Sequence, residues 1–315
     1  MKLSDLGERK IVDKILSIIG DGYLGDDSAY IGIDDDYLLV SSDIVRKETH
    51  LPDVMTPYDI GWFVTSINLS DIAAMGGEVI GVLLSLSLPS DLDEDFVLSL
   101  IKGAKDCVGK YGGRILGGDT KEHNEITVSG TAIGRVSKEE ILFRKGAKPG
   151  DIIAVTGYLG KAGAGYLAIK NELDGVELRG LIRPEPRIRE GRELAKSRCI
   201  SSCMDISDGL SSSLYQLAKI NNVGFTIERE KIPVSEEAFK VGEMLDIDPY
   251  SIAIDFGGDY ELLVTLSKDK FDEIKKKVKI YEIGKVTKEK ELSIICHGKK
   301  RKLQDRGWEH FRQRL

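Results

Sequence analysis

Two aspartates three residues apart, Asp205 and Asp208 in "SCMDISDGLSSSL" (202–214), stand where an apolar run gives way to small polar residues. Alone, the pair has an ordinary explanation, because Asp and Ser accept hydrogen bonds from the unpaired N–H groups of a first helical turn. The same kind of junction recurs along the chain. Asp26 and Asp27 in "LGDDSAY", Asp43 in "VSSDIV", Asp71 in "NLSDIAAMGG" and Asp119 in "LGGDTK" also lie at the ends of apolar runs. Turn chemistry explains Asp after Gly and capping explains Asp before a helix, so each signal is weak by itself. Together they put several carboxylates at strand ends and helix starts, where open α/β sheets build their ligand crevices. Clustered carboxylates repel unless protonated or bridged by cations, and hard oxygen ligands of this type suit Mg²⁺ rather than zinc. Mg²⁺ binds through one or two carboxylates plus substrate phosphates, so several ions here imply a polyphosphate such as ATP. No G-x-x-x-x-G-K-[ST] segment occurs, so this is phosphate chemistry without a Walker loop.

The elements that must carry these groups are legible in outline. "YLLVSSD" (37–43) reads as a buried strand that ends in hydroxyls and a carboxylate. "TPYDIGWFVTSINLSDIAAMGG" (56–77) has Thr at a cap position, Pro at the first helical position and a Gly pair at the exit. It predicts a long helix with Asn68 and Asp71 on one face. A strand over 78–88, a helix over 93–111 and strands over 113–119 and 125–136 complete an α/β unit. Ahead of it, "LSDLGERKIVDKILSIIG" predicts an amphipathic helix closed by Gly20.

A second unit starts at "DIIAVTG" (151–157), a strand running into the Gly-rich turn "GYLGKAGAG" (157–165). Such a turn either cradles an anion or packs a helix against a strand, and it does not match G-x-G-x-x-G. Helices are expected near 161–172, 185–197, 208–221, 235–245 and 268–278, with strands near 202–206, 223–228, 261–267, 280–287 and 292–296. The fold class is therefore α/β (α+β) in two domains, 1–137 and 138–315.

Composition narrows the partners. With 315 residues, 41% hydrophobic and 31% charged, the chain can build two domain-sized cores. A net charge of −7 and a pI near 5.4 argue against broad nucleic-acid or membrane-surface binding, and "KKKVK" (275–279) reads as a solvated helix face. No apolar run approaches the roughly 20 residues of a membrane helix, and "MKLSDLGERK" lacks the apolar core of a secretion signal; a cytoplasmic location is expected. The four cysteines, Cys107, Cys199, Cys203 and Cys296, supply no zinc framework, and the four histidines, His50, His123, His297 and His310, form no H-x-x-x-H pair.

Taken in order, "GDDSA", "SSD", "TPYDIGWFVTSINLSDIAAMGG", "GGDT", "RKGAKPGD", "DISDGL" and "FGGDYEL" resemble the motifs of the thiamine-monophosphate kinases, in the superfamily related to aminoimidazole ribonucleotide synthetase. The resemblance runs from Gly25 to "GWEHF" (307–311). It implies the two-domain fold of that superfamily, an N-terminal domain that forms a homodimer and binds ATP and magnesium, and a larger C-terminal α/β domain. It also implies transfer of the γ-phosphoryl group of ATP to thiamine monophosphate, giving thiamine diphosphate and ADP. Carried over by motif, Asp27, Ser41, Ser42, Asp43, Asp71, Asp119, Asp205 and Asp208 resemble magnesium ligands, with Asp43 and Asp71 the least replaceable. Gly118, Asp119, Arg144 and Ser207 resemble nucleotide contacts, and His50, Asp259 and Trp308 substrate contacts.

The chain departs from the family pattern in two places. "GGDYEL" (257–262) is one acidic residue shorter than the usual G-G-E-D-Y-E-L, and the loop "RKETHLP" stands where relatives often have N-H-F. The residue types suit the implied roles. Arg144 can neutralise phosphate oxygens in bidentate fashion, although a lone linker Arg is commonly solvated. Trp308 can stack on a thiazolium or pyrimidine ring, worth about 0.5–2 kcal/mol, or fill a core. His50 can reach a phosphate or ring nitrogen, or simply sit on the surface.

The acceptor is a phosphate monoester already ionised near neutral pH, so the expected mechanism is direct in-line transfer with no covalent intermediate and no general base. Other ATP-using members of the superfamily are the nearest alternatives. Selenophosphate synthetase is expected to carry a reactive Cys near its start, whereas the first here is Cys107; the hydrogenase-maturation relative is expected to end in a cysteine, whereas this sequence reads "FRQRL" at its end. A non-catalytic nucleotide or metal sensor is the alternative of a different class.

Overall fold

Side chains along a strand alternate between faces, and the residues 36–46 obey this closely: Leu39, Ser41 and Val45 are buried while Ser42 and Ile44 are exposed. A computed structural model describes residues 2–20, 25–308, 310 and 311. In it the first sheet comprises β1 (Ala29–Ile33), β2 (Asp36–Arg46), β3 (Glu78–Leu88), β4 (Arg114–Glu122) and β5 (Thr127–Ser137), in the order β1-β2-β5-β3-β4. Only β3 and β4 run parallel. Preceding the sheet are α1 (Leu3–Leu6) and α2 (Glu8–Ile19); within it come α3 (Lys47–His50), α4 (Pro57–Ala74) and α5 (Glu94–Lys110).

Helix α4 begins with a reciprocal capping box between Thr56 and Asp59, with Pro57 at the first position. It is buried on almost every side because it lies between the first sheet, α5 and the second half of the chain. The opposite face of the sheet carries exposed Ile31, Ile33 and Ile44, at 55%, 49% and 59% exposure. Ser42, Thr131, Ser129, Ser85 and Asp119 share that outer face, as the pairings Ser42 with Thr131, Ser129 with Ser85 and Ser85 with Asp119 require.

The second sheet comprises β6 (Ile152–Thr156), β7 (Ile200–Asp205), β8 (Gly224–Glu228), β9 (Leu262–Leu266), β10 (Ile280–Thr287), β11 (Leu292–Cys296) and β12 (Lys299–Lys302). Its order is β12-β11-β8-β10-β6-β9-β7. Around it lie α6 (Lys161–Lys170), α7 (Arg179–Ile182), α8 (Ile188–Ser197), α9 (Leu210–Asn221), α10 (Glu236–Leu245), α11 (Pro249–Asp255) and α12 (Phe271–Lys275). One apolar core is shared between the halves: Leu39, Ile72, Val82 and Ala132 of the first pack in the same cluster as Ile152, Ala154, Cys203 and Leu262 of the second. Burial of this kind fixes the two sheets relative to each other and so positions groups contributed by each.

Several local expectations are revised. The helix expected over 268–278 is a 3₁₀ turn (Lys268–Lys270) followed by the short α12, since its lysines leave little apolar face to bury. The N-terminal helix is interrupted at Gly7. Strands β1 and β12 were not anticipated. Both belong to hairpins with two-residue turns, Asp34-Asp35 and His297-Gly298, where Asp34, His297 and Gly298 take the left-handed conformation that such turns need.

Candidate active site

At the junction of the halves, Asp27, Asp71 and Asp205 each place a carboxylate oxygen within 4.8 Å of the other two. Asp27 precedes β1, Asp71 rides on α4 and Asp205 ends β7, so the cluster joins three distant segments. Each is held by a neighbour. The Ser41 hydroxyl donates to Asp71, and the Ser70 hydroxyl donates to Asp205 Oδ2 at 2.6 Å. Arg144 grips Asp27 with two bonds, Nη2 to Oδ1 at 2.7 Å and Nε to Oδ2 at 3.1 Å, and its Nη1 reaches Gln216 at 3.3 Å.

Asp43 lies beside Asp71 on the inner side of β2. Its backbone N–H donates to Asn68 Oδ1 at 3.0 Å, while Asn68 Nδ2 donates to Val64 C=O at 2.8 Å. This approach depends on Gly130, where a Cβ would fall 2.4 Å from Asn68 Nδ2.

The electrostatics are those of an anionic pocket short of cations. Burial, then repulsion from Asp43, Asp205 and Asp27, pushes the Asp71 carboxyl well up, against the Ser41 hydrogen bond. Burial and the Asp27 charge raise Asp205 to about 8 despite Ser70 and Arg144. Asp43 is raised by burial, and Asp208 to about 6 by burial and Glu8, opposed by Arg9, His310 and Arg144. Desolvation disfavours the Arg144 charge, but the Asp27 pair more than compensates, so its pKa is raised. A divalent cation placed among these oxygens relieves both the repulsion and the burial cost.

Of the residues singled out in the sequence, Asp27, Asp71 and Asp205 converge, with Ser41, Asp43 and Arg144 immediately around them. Asp208 is electrostatically linked to Arg144 and lies beside the chain end: its C=O accepts from the Trp308 N–H at 3.0 Å. Ser207 is exposed, and its C=O accepts from the Gly258 N–H at 2.7 Å. Two residues point elsewhere. The Ser42 hydroxyl donates to Gly130 C=O on the outer side of the sheet, and Asp119, on the edge strand, pairs with Lys121 at 3.3 Å. Gly118 backs directly onto the Leu84 C=O.

Asp259 answers the question left open by the Gly-rich turn. Its carboxylate accepts from the Gly160 N–H at 2.6 Å and the Ala162 N–H at 3.1 Å, and burial raises it to about 7. Two N–H groups at the N-terminus of α6 thus hold a carboxylate of the chain itself, which is the packing role. Beside it Glu261 is locked by Arg187 at 2.5 and 2.6 Å and by the Thr156 hydroxyl at 2.8 Å.

Three participants were missed as site residues. Ser70 and Asn68 are among several buried polar residues of α4, with Asp59, Thr65 and Ser66, and they lie just before Asp71 in "NLSD". Tyr260 takes the left-handed conformation (φ 50°), packs edge-on against Phe63 and is raised by burial and by Asp43, Asp205, Asp208 and Asp71. The shortened "GGDYEL" motif carries it, but only tertiary contact reveals what it faces.

Comparison with known proteins agrees with this architecture. Residues 25–136 match the model of the AIR synthase related protein N-terminal domain and 148–297 that of the C-terminal domain. Among curated proteins, thiamine-monophosphate kinase of Pyrococcus horikoshii is 37% identical over 98% of both chains, and that of Aquifex aeolicus 32% over 99% of this chain and all of the relative. Among solved structures, AaThiL complexed with AMPPCP and TMP superimposes with a TM-score of 0.90 at 30% identity, covering 98% of this chain and 99% of that one. The chain therefore belongs to the thiamine-monophosphate kinase family, on the two-domain AIR synthase related fold.

Proposed function

We propose that this chain phosphorylates thiamine monophosphate with ATP, releasing thiamine diphosphate and ADP. The observation that carries the reading is the convergence of Asp27, Asp71 and Asp205, drawn from both halves of the chain, in a protein alike over nearly its whole length to kinases of that name. A similar structure holds AMPPCP and TMP together.

The donor set fits Mg²⁺. It is all oxygen, carboxylate-rich and self-repelling, and the ion pair of Arg144 with Asp27 leaves the repulsion among the rest uncancelled. Asp27, Asp43, Asp71, Asp205 and Asp208, with Ser41, would hold several ions. Bound Mg²⁺ supplies charge neutralisation on the phosphoryl group in transfer. The chain's own residues do the rest. Arg144 and Ser207 orient the nucleotide, with Gly118 and Asp119 reaching it from the outer face of the first sheet, while Trp308 and His50 present the acceptor. Asp259 enters through the turn that it braces. No side chain need take a proton, because the acceptor oxygen is already anionic.

We further propose a homodimer through the outer face of the first sheet, supported by exposed Ile31, Ile33 and Ile44. Ser42 and Asp119 share that face, so pairing gives them a place at the junction of two copies. The working domain division is 1–137 and 138–315. No helix among the described residues is long and apolar enough to cross a membrane, and the use of ATP suits a cytoplasmic enzyme.

The test is a coupled assay of ADP release with thiamine, thiamine monophosphate and hydroxymethylpyrimidine phosphate as acceptors. Release dependent on thiamine monophosphate alone is expected. Equal release with all three, or none with any, contradicts the reading.

A further inference from the structure

Tyr260 is held in a backbone conformation that is costly for its type. Its φ of 50° lies in the left-handed region, which a bulky side chain rarely takes. Both of its neighbours are anchored: the Asp259 carboxylate by N–H groups at the start of α6, the Glu261 carboxylate by Arg187 and Thr156. The backbone is tied to the segment between Asp205 and Asp208. The Gly258 N–H donates to Ser207 C=O at 2.7 Å, the Tyr260 N–H to Ile206 C=O at 3.0 Å, and the Ile206 N–H to Glu261 C=O at 2.8 Å. Strain persists where the surroundings over-determine it, and here it sets the direction of one side chain.

That side chain crosses the junction. The ring leaves the second half and packs against the apolar cluster of the first, which includes Val45, Phe63 and Ile67, and it lies 6.5 Å from Phe63 between centroids. Asp43 and Asp71 of the first half and Asp205 and Asp208 of the second all act on its phenol. Among the described residues the hydroxyl has no hydrogen-bond partner. Ser41, Ser70 and Arg144, by contrast, are committed to Asp71, Asp205 and Asp27.

We infer that Tyr260 is a further catalytic residue, its hydroxyl donating a hydrogen bond to an oxygen of the phosphoryl group in transfer. The inference deepens the proposed function and rests on it. Carboxylates turned toward cations have no need of the phenol's proton, so the acceptors left for it are phosphate oxygens. Being neutral, the phenol supplies a donor without pairing with an aspartate as a lysine or arginine would, and it leaves the carboxylates to the cations. Its place suits the role: it stands between the acids of the two halves, where the group passing from nucleotide to acceptor must be neutralised. The hydroxyl keeps its proton throughout.

The experiment compares wild type with Tyr260→Phe, which keeps the ring and removes the hydroxyl. Rapid quench follows single-turnover formation of thiamine diphosphate in saturating Mg²⁺, ATP and thiamine monophosphate, and calorimetry measures binding of AMPPCP and of thiamine monophosphate. The variant's rate is expected to fall about a hundredfold, as for loss of one donor to charge in the transition state, with both affinities within about twofold of wild type. A fall of less than about tenfold overturns the inference, as does a rate restored by added Mg²⁺ or a loss matched by weaker binding of either ligand. A wild type that forms no thiamine diphosphate would instead remove the proposed function on which the inference depends.

Discussion

The Ser70 hydroxyl, on a helix of the first half, donates to Asp205 Oδ2 at 2.6 Å, at the end of a strand of the second. The bond is buried and crosses the junction on which the site is built. It therefore aims a carboxylate from one sheet at the carboxylates of the other.

Ser70→Ala leaves Asp205 without that donor. A stability loss on the order of 1–2 kcal/mol is expected, as for a buried polar group left without its partner, together with a several-fold higher Mg²⁺ requirement. Denaturant titration and Mg²⁺-dependent initial rates measure the two effects. Loss of stability with an unchanged Mg²⁺ requirement would confine Ser70 to packing.

Asp71→Asn separates catalysis from stability. Removing one charge from a crowded set relieves repulsion, so the metal-free variant should melt no lower than wild type. Turnover should fall about a hundredfold or more, because a metal-holding oxygen is lost. Wild-type turnover at limiting Mg²⁺ would remove Asp71 from the ligand set.

The raised carboxyls make metal-free stability depend on pH with a definite sign. Asp205 and Asp208 titrate near 8 and near 6 in the fold, against 3.8 for an ordinary Asp. Between those values the folded state keeps protons that the unfolded state releases. Their stabilising contribution is thus complete below about pH 3.8 and is lost as pH climbs through 6 to 8. In EDTA, the Tm advantage of Asp205→Asn over wild type should widen from pH 5 to pH 8.5, and saturating Mg²⁺ should reverse it. A difference independent of pH in EDTA would contradict the electrostatic account.

Ile44→Glu tests the proposed pairing face. Ile44 is 59% exposed, so the change costs the lone chain little, about 0.5 kcal/mol or less. Sedimentation should show a dimer for wild type and a monomer for the variant. A variant that remains dimeric would place the interface elsewhere.

The sequence revealed the aspartates and the elements beneath them, because capping at Thr56, the exit after Ala74 and the alternation in β2 are local signals. It did not reveal which face each group would take. Ser41 and Ser42 are neighbours of the same type, yet the first bonds Asp71 and the second turns to the outer side. Only pairing register decides between them. Asp259 was legible as an acid but not as the anion on α6, since its partners lie nearly one hundred positions away. Tyr260 was hidden for the same reason: what it faces lies in contacts that span the chain.

The central claim is best tested by Mn²⁺ in place of Mg²⁺ in crystals of the protein with AMPPCP and thiamine monophosphate, located by anomalous scattering. Peaks should lie within coordination distance, roughly 2.0–2.3 Å, of oxygens from Asp27, Asp71 and Asp205. Nucleotide bound with the metal held away from all three carboxylates would contradict the account.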